Sequence, residues 1–363
     1  MYNIGLNVLN RIEEYGYKAY IIGGYPRDLY LKRGSTDIDV CTDATPMEII
    51  KIFPDVVTTN FEYGSVTILH ENVRIEITTF RSEGKYINNR KPSVIKYVDS
   101  LEEDLKRRDF TINTLCIDKD GKQIDLLNAK SDLDNKIIRM VGNPKTKLKE
   151  DALRILRAIR FATILNFELE PVLKAYIKKY SGLVRKLSAQ RRREELDIIF
   201  ASSNKEYGIK LLNELKLSDS LEIPNLKKIM ITPSMIVTWA LLDATCKYPF
   251  NAQERDTIFK ILKLKGRDIL DRRVIYEYGL YVCSLVCEVN DVSKKELNEI
   301  YLNMPIHSKL DIKLKPEAIC EILGKEPGKF IRDILNDVEE KILDNTLDND
   351  EEILKNYLIK NYL

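Results

Sequence analysis

The sequence predicts an α+β fold: a small mixed sheet confined to the N-terminal part, followed by a chain that is all α. Two observations support this. Strand-like segments separated by turn chemistry crowd the first ~135 residues. From Leu148 onward, apolar residues recur almost wholly at helical spacing. The length, 363 residues, is too great for one ordinary core and calls for roughly two to four structural units.

Taken in order, residues 1–18 place Ile4, Val8, Leu9 and Ile12 on one face of an amphipathic helix. Ala19 to Ile22 then reads as a buried strand, Gly23-Gly24 as a turn, and Pro26-Arg27-Asp28 as the opening of a helix. The glycines allow close backbone approach to a ligand, and the helix start offers free N–H groups to a phosphate. Pro26 fits the first helical position. Arg27 does not suit the positive end of a helix, so a ligand anion explains it better than helix stability.

A second strand follows, with Asp37 and Asp39. Residues i and i+2 of a strand share a face, so these carboxylates stand roughly 6–7 Å apart at Cα and suit a hard cation. Asp-x-Asp alone reads as readily as a solvated edge. The order strand, Gly-Gly, Arg-Asp, Asp-x-Asp favours a phosphate cradle beside a metal pair.

Thr45-Pro-Met-Glu48 forms a capping box ahead of a helix through Phe53. Ser65 to His70 and Val73 to Phe80 read as strands joined by a tight turn at Glu71-Asn72. Alternation puts Arg74, Glu76 and Thr78 on one face. Glu76 could add a third carboxylate to the metal pair or pair with Arg74, and the pairing is the expected outcome. Ser82 to Pro92 reads as a polar, mobile loop. Ser100 caps a short helix leading into Lys106 to Leu115, a basic cluster that runs into an apolar strand.

The helix expected over Lys149 to Phe161 places Asp151, Arg154, Arg157 and Arg160 on one ridge, with Leu153, Leu156 and Ile159 on the ridge beside it. Three arginines on a ridge suggest an anionic or planar ligand. An Asp151–Arg154 pair supporting the helix is the competing reading. Arg185 to Arg193 is strongly basic, with Ser188 as the cap of a helix into Phe200. The remainder is a run of amphipathic helices, and the acidic stretch from Leu343 to Glu352 reads as a linker before the last one.

Composition narrows the function. Lys+Arg at 58 against Asp+Glu at 56 leaves a net charge of +2, so any nucleic-acid footprint must be local. Two histidines, His70 and His307, support no histidine-based metal site. The six cysteines are scattered, and Cys283 and Cys287, one helical turn apart, read as core packing. No signal peptide or membrane-spanning apolar run is visible, and a cytoplasmic protein with reduced thiols is expected.

These segments together resemble the class II tRNA nucleotidyltransferases, the CCA-adding enzymes, which share a head domain with bacterial poly(A) polymerases. The resemblance runs through Gly23-Gly24-x-x-Arg27-Asp28, Asp37-x-Asp39, Arg107 to Asn113, Glu150-Asp151-x-x-Arg154, and Gln190-Arg191. It implies a nucleotidyltransferase head over 1–137, a nucleotide-selecting neck over 138–200, a helical body over 201–290 and a tRNA-binding tail over 291–363. Asp37 and Asp39 would hold Mg²⁺. Gly24, Arg27 and Arg108 would contact the incoming nucleotide, and Asp151, Arg154, Arg157 and Arg160 would line its base and triphosphate pocket. Asp109 is the other candidate for carboxylate or sugar work.

The implied reaction adds CCA to the 3′ end of tRNA from CTP and ATP without a template, in a monomer or homodimer. On their Watson–Crick edges cytosine and adenine both present an amine donor beside a ring acceptor, so a carboxylate beside a guanidinium accepts both and mismatches uracil and guanine. Two departures stand out: Gln190 replaces the usual Glu, so a bracing carboxylate is missing or moved to Glu194 or Glu195, and the loop reads Asn88-Asn89-Arg90 where an acid is common. The loop is not shortened, which favours full CCA over CC addition. The alternatives are an A-adding or poly(A) polymerase relative and a non-catalytic RNA-binding relative.

Overall fold

The computed structural model describes residues 1–35, 37–84, 86–87 and 91–363. It divides into two compact units: Met1–Lys228 with Cys246–Pro249, and Ile229–Thr245 with Phe250–Leu363. Segment 201–290 is thus shared between them.

The first unit opens with α1 (Tyr2–Glu14), β1 (Ala19–Ile22), α2 (Gly24–Tyr30), β2 (Ile38–Thr42) and α3 (Pro46–Ile52). β3 (Val56–Asn60), β4 (Ser65–His70) and β5 (Val73–Thr79) follow, then β6 (Arg81–Glu83), β7 (Tyr86–Ile87), β8 (Lys91–Pro92) and β9 (Ile95–Tyr97). The head closes with α4 (Leu101–Arg107), β10 (Cys116–Ile117), β11 (Gln123–Ile124), α5 (Ala129–Asp134) and β12 (Ile137–Ile138). Seven strands make one mixed sheet in the order β11-β10-β1-β2-β5-β4-β3. Its one parallel pairing, β2 with β5, lies at the centre.

Alternation along β2 decides what each face of the sheet does. Ile38 and Val40 enter a core with Val8, Leu9 and Ile12 of α1 and Ile49 and Ile52 of α3. Cys41 joins a second cluster on the opposite face, with Ile22, Phe80 and Leu105 of α4. Asp39 shares that face with Cys41. A one-residue slip of β2 would send Asp39 into the larger core, and burying each of its large apolar side chains contributes about 1.5–3 kcal/mol toward holding the register.

Several local expectations are met. The Glu48 carboxylate accepts from the Thr45 N–H at 2.7 Å, completing the capping box. Glu71 and Asn72 take left-handed φ values of 49° and 61°, the two-residue turn that matches strand twist. Three expectations are corrected. Ser82 to Pro92 is not wholly irregular: β6 pairs antiparallel with β9, and β7 with β8. Asn88, Asn89 and Arg90 lie outside the described residues. The segment after Arg107 is no continuous strand but a 3-10 turn, Thr111–Asn113, before the two-residue β10, because its polar groups bond locally: Thr114 Oγ1 donates to the Thr111 carbonyl at 2.7 Å.

The third correction concerns the arginine ridge. Helix α6 (Pro144–Glu150) ends where Asp151 turns extended (φ −135°, ψ 111°), and α7 (Leu153–Leu165) starts anew. The Asp151 carboxylate accepts from the Leu153 N–H at 3.0 Å, so this side chain caps the second helix instead of riding inside one. β13 (Glu168–Leu169) pairs with β12, and α8 (Pro171–Tyr180), α9 (Ala189–Ala201) and α10 (Lys205–Glu214) complete the unit's helices. Ser188 caps α9 through the Arg191 N–H, as expected.

The second unit is helical: α11 (Met235–Leu242), α12 (Ala252–Leu264), α13 (Arg272–Asn290), α14 (Lys294–Leu302), α15 (Pro316–Leu323), α16 (Lys329–Leu343) and α17 (Glu351–Tyr362). Gly279, at φ 79°, breaks α13 in two. Cys283 and Cys287 are buried in its second half, in the packing role expected of them. Among the described residues, no helix is long and apolar enough to cross a membrane.

Candidate active site

A cleft of about 600 Å³ opens in the first unit between the sheet and α7. Gly23, Gly24, Arg27, Asp28, Asp37 and Asp39 line it from the first two strands and the turn between them. Arg81, Glu83, Arg107, Arg108, Asp109 and Asn113 line it from β6 and the end of α4, and Asp151, Arg154, Arg157 and Phe161 from α7 and its cap. The fold therefore brings together all but one of the ten residues that the resemblance assigns to the metal or the nucleotide. The exception is Arg160, which turns to Glu195 on α9 at 3.2 Å and is not among the lining residues.

The six lining carboxylates differ in one respect. Asp28 pairs with Arg27 at 2.9 Å, Glu83 with Arg81 at 3.2 Å, Asp109 with Arg157 at 2.6 Å and Asp151 with Arg191 at 3.5 Å. Among the described residues, Asp37 and Asp39 form no ion pair. Partial burial, then Glu76, pushes the Asp39 carboxyl up to about 6; Asp37 adds to the shift and Arg108 opposes it. Carboxylates crowded together without a basic partner are a donor set that a hard divalent cation would relieve, and Mg²⁺ needs only one or two of them when substrate phosphates complete its shell. Among the described residues no group of three acidic, histidine or cysteine side chains could cage an ion alone. The residues present fit a shared, substrate-completed site.

The candidates for a third carboxylate now separate. Glu76 stands directly beside Asp39 across the parallel β2–β5 pair and has no ion pair to Arg74 among the described residues, contrary to the pairing expected. Asp109 is already fully engaged. It accepts from Arg157 Nε at 2.7 Å, the Phe110 N–H at 2.8 Å and Asn113 Nδ2 at 3.3 Å. Burial alone would raise its carboxyl, but Arg157 outweighs that and holds it below the usual carboxylate range. Its role is to fix Arg157 in the cleft wall.

Arg27 is fixed in the same way. Its guanidinium donates to Asn113 Oδ1 at 2.7 Å and to both oxygens of Asp28, and it lies over the Phe161 ring at 5.4 Å. Arg157 and Arg160 flank the same ring at 5.4 and 4.5 Å. Phe161, Asn113, Arg81 and Arg107 have no role in the sequence reading. A signal for Phe161 was present: it lies four residues beyond Arg157, where a helix stacks side chains.

Asp151 and Arg154 both face the cleft but do not pair with each other. Arg154 Nη1 donates to the Lys147 carbonyl at 2.8 Å and to Glu150 at 2.9 Å. Of the two carboxylates near Gln190, Glu195 pairs with Arg160, while Glu194 accepts from Gln190 itself at 2.9 Å.

Gly23 is indispensable to this arrangement. Its φ of 85° strains any other residue, and a Cβ would sit 3.0 Å from Asp39 Oδ2. Gly23→Ala is expected to cost about 1–2 kcal/mol of stability through strain at this backbone position and to lower the transfer rate by displacing Asp39. Thermal unfolding and single-turnover rates check the two effects.

Two carboxylates unpaired among the described residues, under an arginine-lined wall and on a mixed sheet with a central parallel pair, define a nucleotidyltransferase head. Residues 19–139 match the Poly A polymerase head domain, and residues 247–358 match tRNA nucleotidyltransferase domain 2. The chain belongs to the CCA-adding enzyme family, the bacterial class II tRNA nucleotidyltransferases. It is 34% identical to the CCA-adding enzyme of Ligilactobacillus salivarius, covering 96% of this chain and 94% of that one. It is 30% identical to that of Bacillus subtilis, over 97% and 96%. The crystal structure of the Bacillus stearothermophilus CCA-adding enzyme in complex with CTP superposes with a TM-score of 0.87 at 25% identity, over 99% of this chain and 97% of that one.

Proposed function

We propose that this chain adds C, C and A to the 3′ end of tRNA from CTP and ATP, with the head–neck cleft as the site of transfer. The observation that carries this reading is the contrast within the cleft: among the described residues, every lining carboxylate has a basic partner except Asp37 and Asp39. In this reading those two hold Mg²⁺. The ion, when bound, supplies charge neutralisation for the departing pyrophosphate and lowers the barrier to attack by the terminal ribose hydroxyl.

The chain's own groups do the rest. Gly23 and Gly24 admit the triphosphate close to the backbone. Arg27, Arg108 and Arg157 line the cleft with guanidinium groups held by Asp28, Asp104 and Asp109, and fixed donors lose less freedom on binding a phosphate than mobile ones. Asp151 and Arg154 read the base edge, each steadied by its own partner, Arg191 and Glu150. Arg160 braces α7 against Glu195 of α9. Residues 1–137 are the transfer head, 138–200 the selecting neck, and 201–290 and 291–363 the body and tail that hold tRNA. In this reading the protein works on tRNA in the cytoplasm.

The test is a product ladder on tRNA ending before, within and after CC, with each nucleotide supplied singly and together. Three added residues with CTP and ATP, and none with UTP or GTP, is the expected result. A single A, or an open-ended tail, would make it an A-adding or poly(A) relative.

A further inference from the structure

We infer that Asp104 is a positioning residue for nucleotide transfer: from behind the cleft wall it aims Arg107 and Arg108 at the site where the triphosphate lies. The inference rests on the functional reading above.

Asp104, Arg107 and Arg108 stand at i, i+3 and i+4, so one helical face presents all three at the end of α4. Asp104 is fully buried. One oxygen accepts from Arg107 Nε at 2.7 Å and from the Arg81 N–H at 3.2 Å, and the other from Arg108 Nε at 3.3 Å and Nη2 at 3.0 Å. A carboxylate removed from water at such a cost needs these bonds. Burial opposes its charge, and the two arginines outweigh that and keep it ionised.

Asp104 does not line the cleft, whereas both arginines do. Its two bonds to Arg108 use Nε and Nη2, which leaves Nη1 of this cleft-lining residue without a hydrogen-bond partner among the described residues. Arg108 is also the cation whose field reaches Asp39. Asp104 thus sets the position of a guanidinium between the metal pair and the incoming phosphates. In the first turn of α4 an acid at the surface, such as Glu102 or Glu103, already suits the helix dipole, so helix stability does not require a carboxylate buried under two arginines.

The test uses the full chain with tRNA lacking CCA, and reads KM for CTP, kcat and inhibition by inorganic pyrophosphate, with thermal midpoints alongside. Asp104→Asn keeps the shape and removes the charge. KM for CTP and the inhibition constant for pyrophosphate are both expected to rise roughly tenfold or more, the scale of one charge-assisted bond lost to a phosphate. On an Arg107→Ala/Arg108→Ala background the same change is expected to add little, because both groups it positions are gone.

Additive effects in that cycle, or a lowered thermal midpoint with unchanged KM in the folded protein, would overturn the inference. Should Asp104→Asn not fold, Asp104→Glu, which keeps the charge and moves it by one methylene, goes through the same cycle with the same criteria. Failure of the functional reading itself is visible separately: the unmodified chain would add no nucleotide, and Arg108→Ala would leave pyrophosphate inhibition unchanged.

Discussion

Asp39→Asn is expected to reduce nucleotide transfer by roughly a thousandfold or more, the scale reached when a group that stabilises transition-state charge is removed, while leaving the protein folded. The side chain is one of the two cleft carboxylates without an ion pair among the described residues, so its loss breaks none of the pairs they form. Its carboxyl lies at about 6 against an ordinary 3.8, with burial and Glu76 as the main causes. The sign follows directly. A folded-state value above the unfolded one means that the charged form is disfavoured in the folded chain, so in the absence of divalent cation the ionised side chain opposes folding above about pH 6. That opposition fades as pH falls from 6 to 3.8.

Two outcomes follow for measurement. In EDTA at pH 7 the thermal midpoint of Asp39→Asn should equal or exceed that of the unmodified protein, even though its activity is gone. In the unmodified protein the acid limb of the rate profile should move to lower pH as Mg²⁺ is raised, since the ligand must lose its proton to bind. A variant that lost activity together with several degrees of thermal midpoint would instead mark Asp39 as a structural residue.

Asp151→Ala is expected to relax base choice. In the proposed reading the carboxylate accepts the exocyclic amine of C or A, and against U or G it is left facing a carbonyl. An unmet buried group costs about 1–3 kcal/mol, so discrimination of CTP over UTP should fall roughly tenfold to a hundredfold. Asp151 also caps α7 through the Leu153 N–H, and loss of a cap costs about 1 kcal/mol in stability. Asp151→Asn separates the two roles, because its amide oxygen can still cap the helix while its charge is gone. Relaxed selection in both variants, with the stability loss confined to the alanine, is the expected pattern. Full discrimination against UTP and GTP in both would remove the base-reading role from this residue.

Much of the head was legible because its signals are local. The Thr45–Glu48 box, the Glu71-Asn72 turn and the Gly23-Gly24 corner each depend on a few adjacent residues whose backbone preferences leave few choices. Alternation around Ile38 and Val40 was enough to place Asp37 and Asp39 together, since a strand has only two faces. The break between α6 and α7 was misread because its cause, an Asp able either to continue a helix or to cap the next, looks the same in a helical pattern.

The sequence by itself thus determined the α+β class, the carboxylate pair on one strand face, the arginine-rich segments and the family they resemble. What only the tertiary structure decided is partnership. Asp109 went to Arg157, 48 residues away, and Asp151 to Arg191; Glu76 came beside Asp39, and Arg160 was drawn off to Glu195. The physical reason is that an ion pair depends on distance in space, which separation along the chain does not report. Once Asp28, Glu83, Asp109 and Asp151 had found their arginines, the two carboxylates left over marked the place where a cation and a triphosphate can be held together.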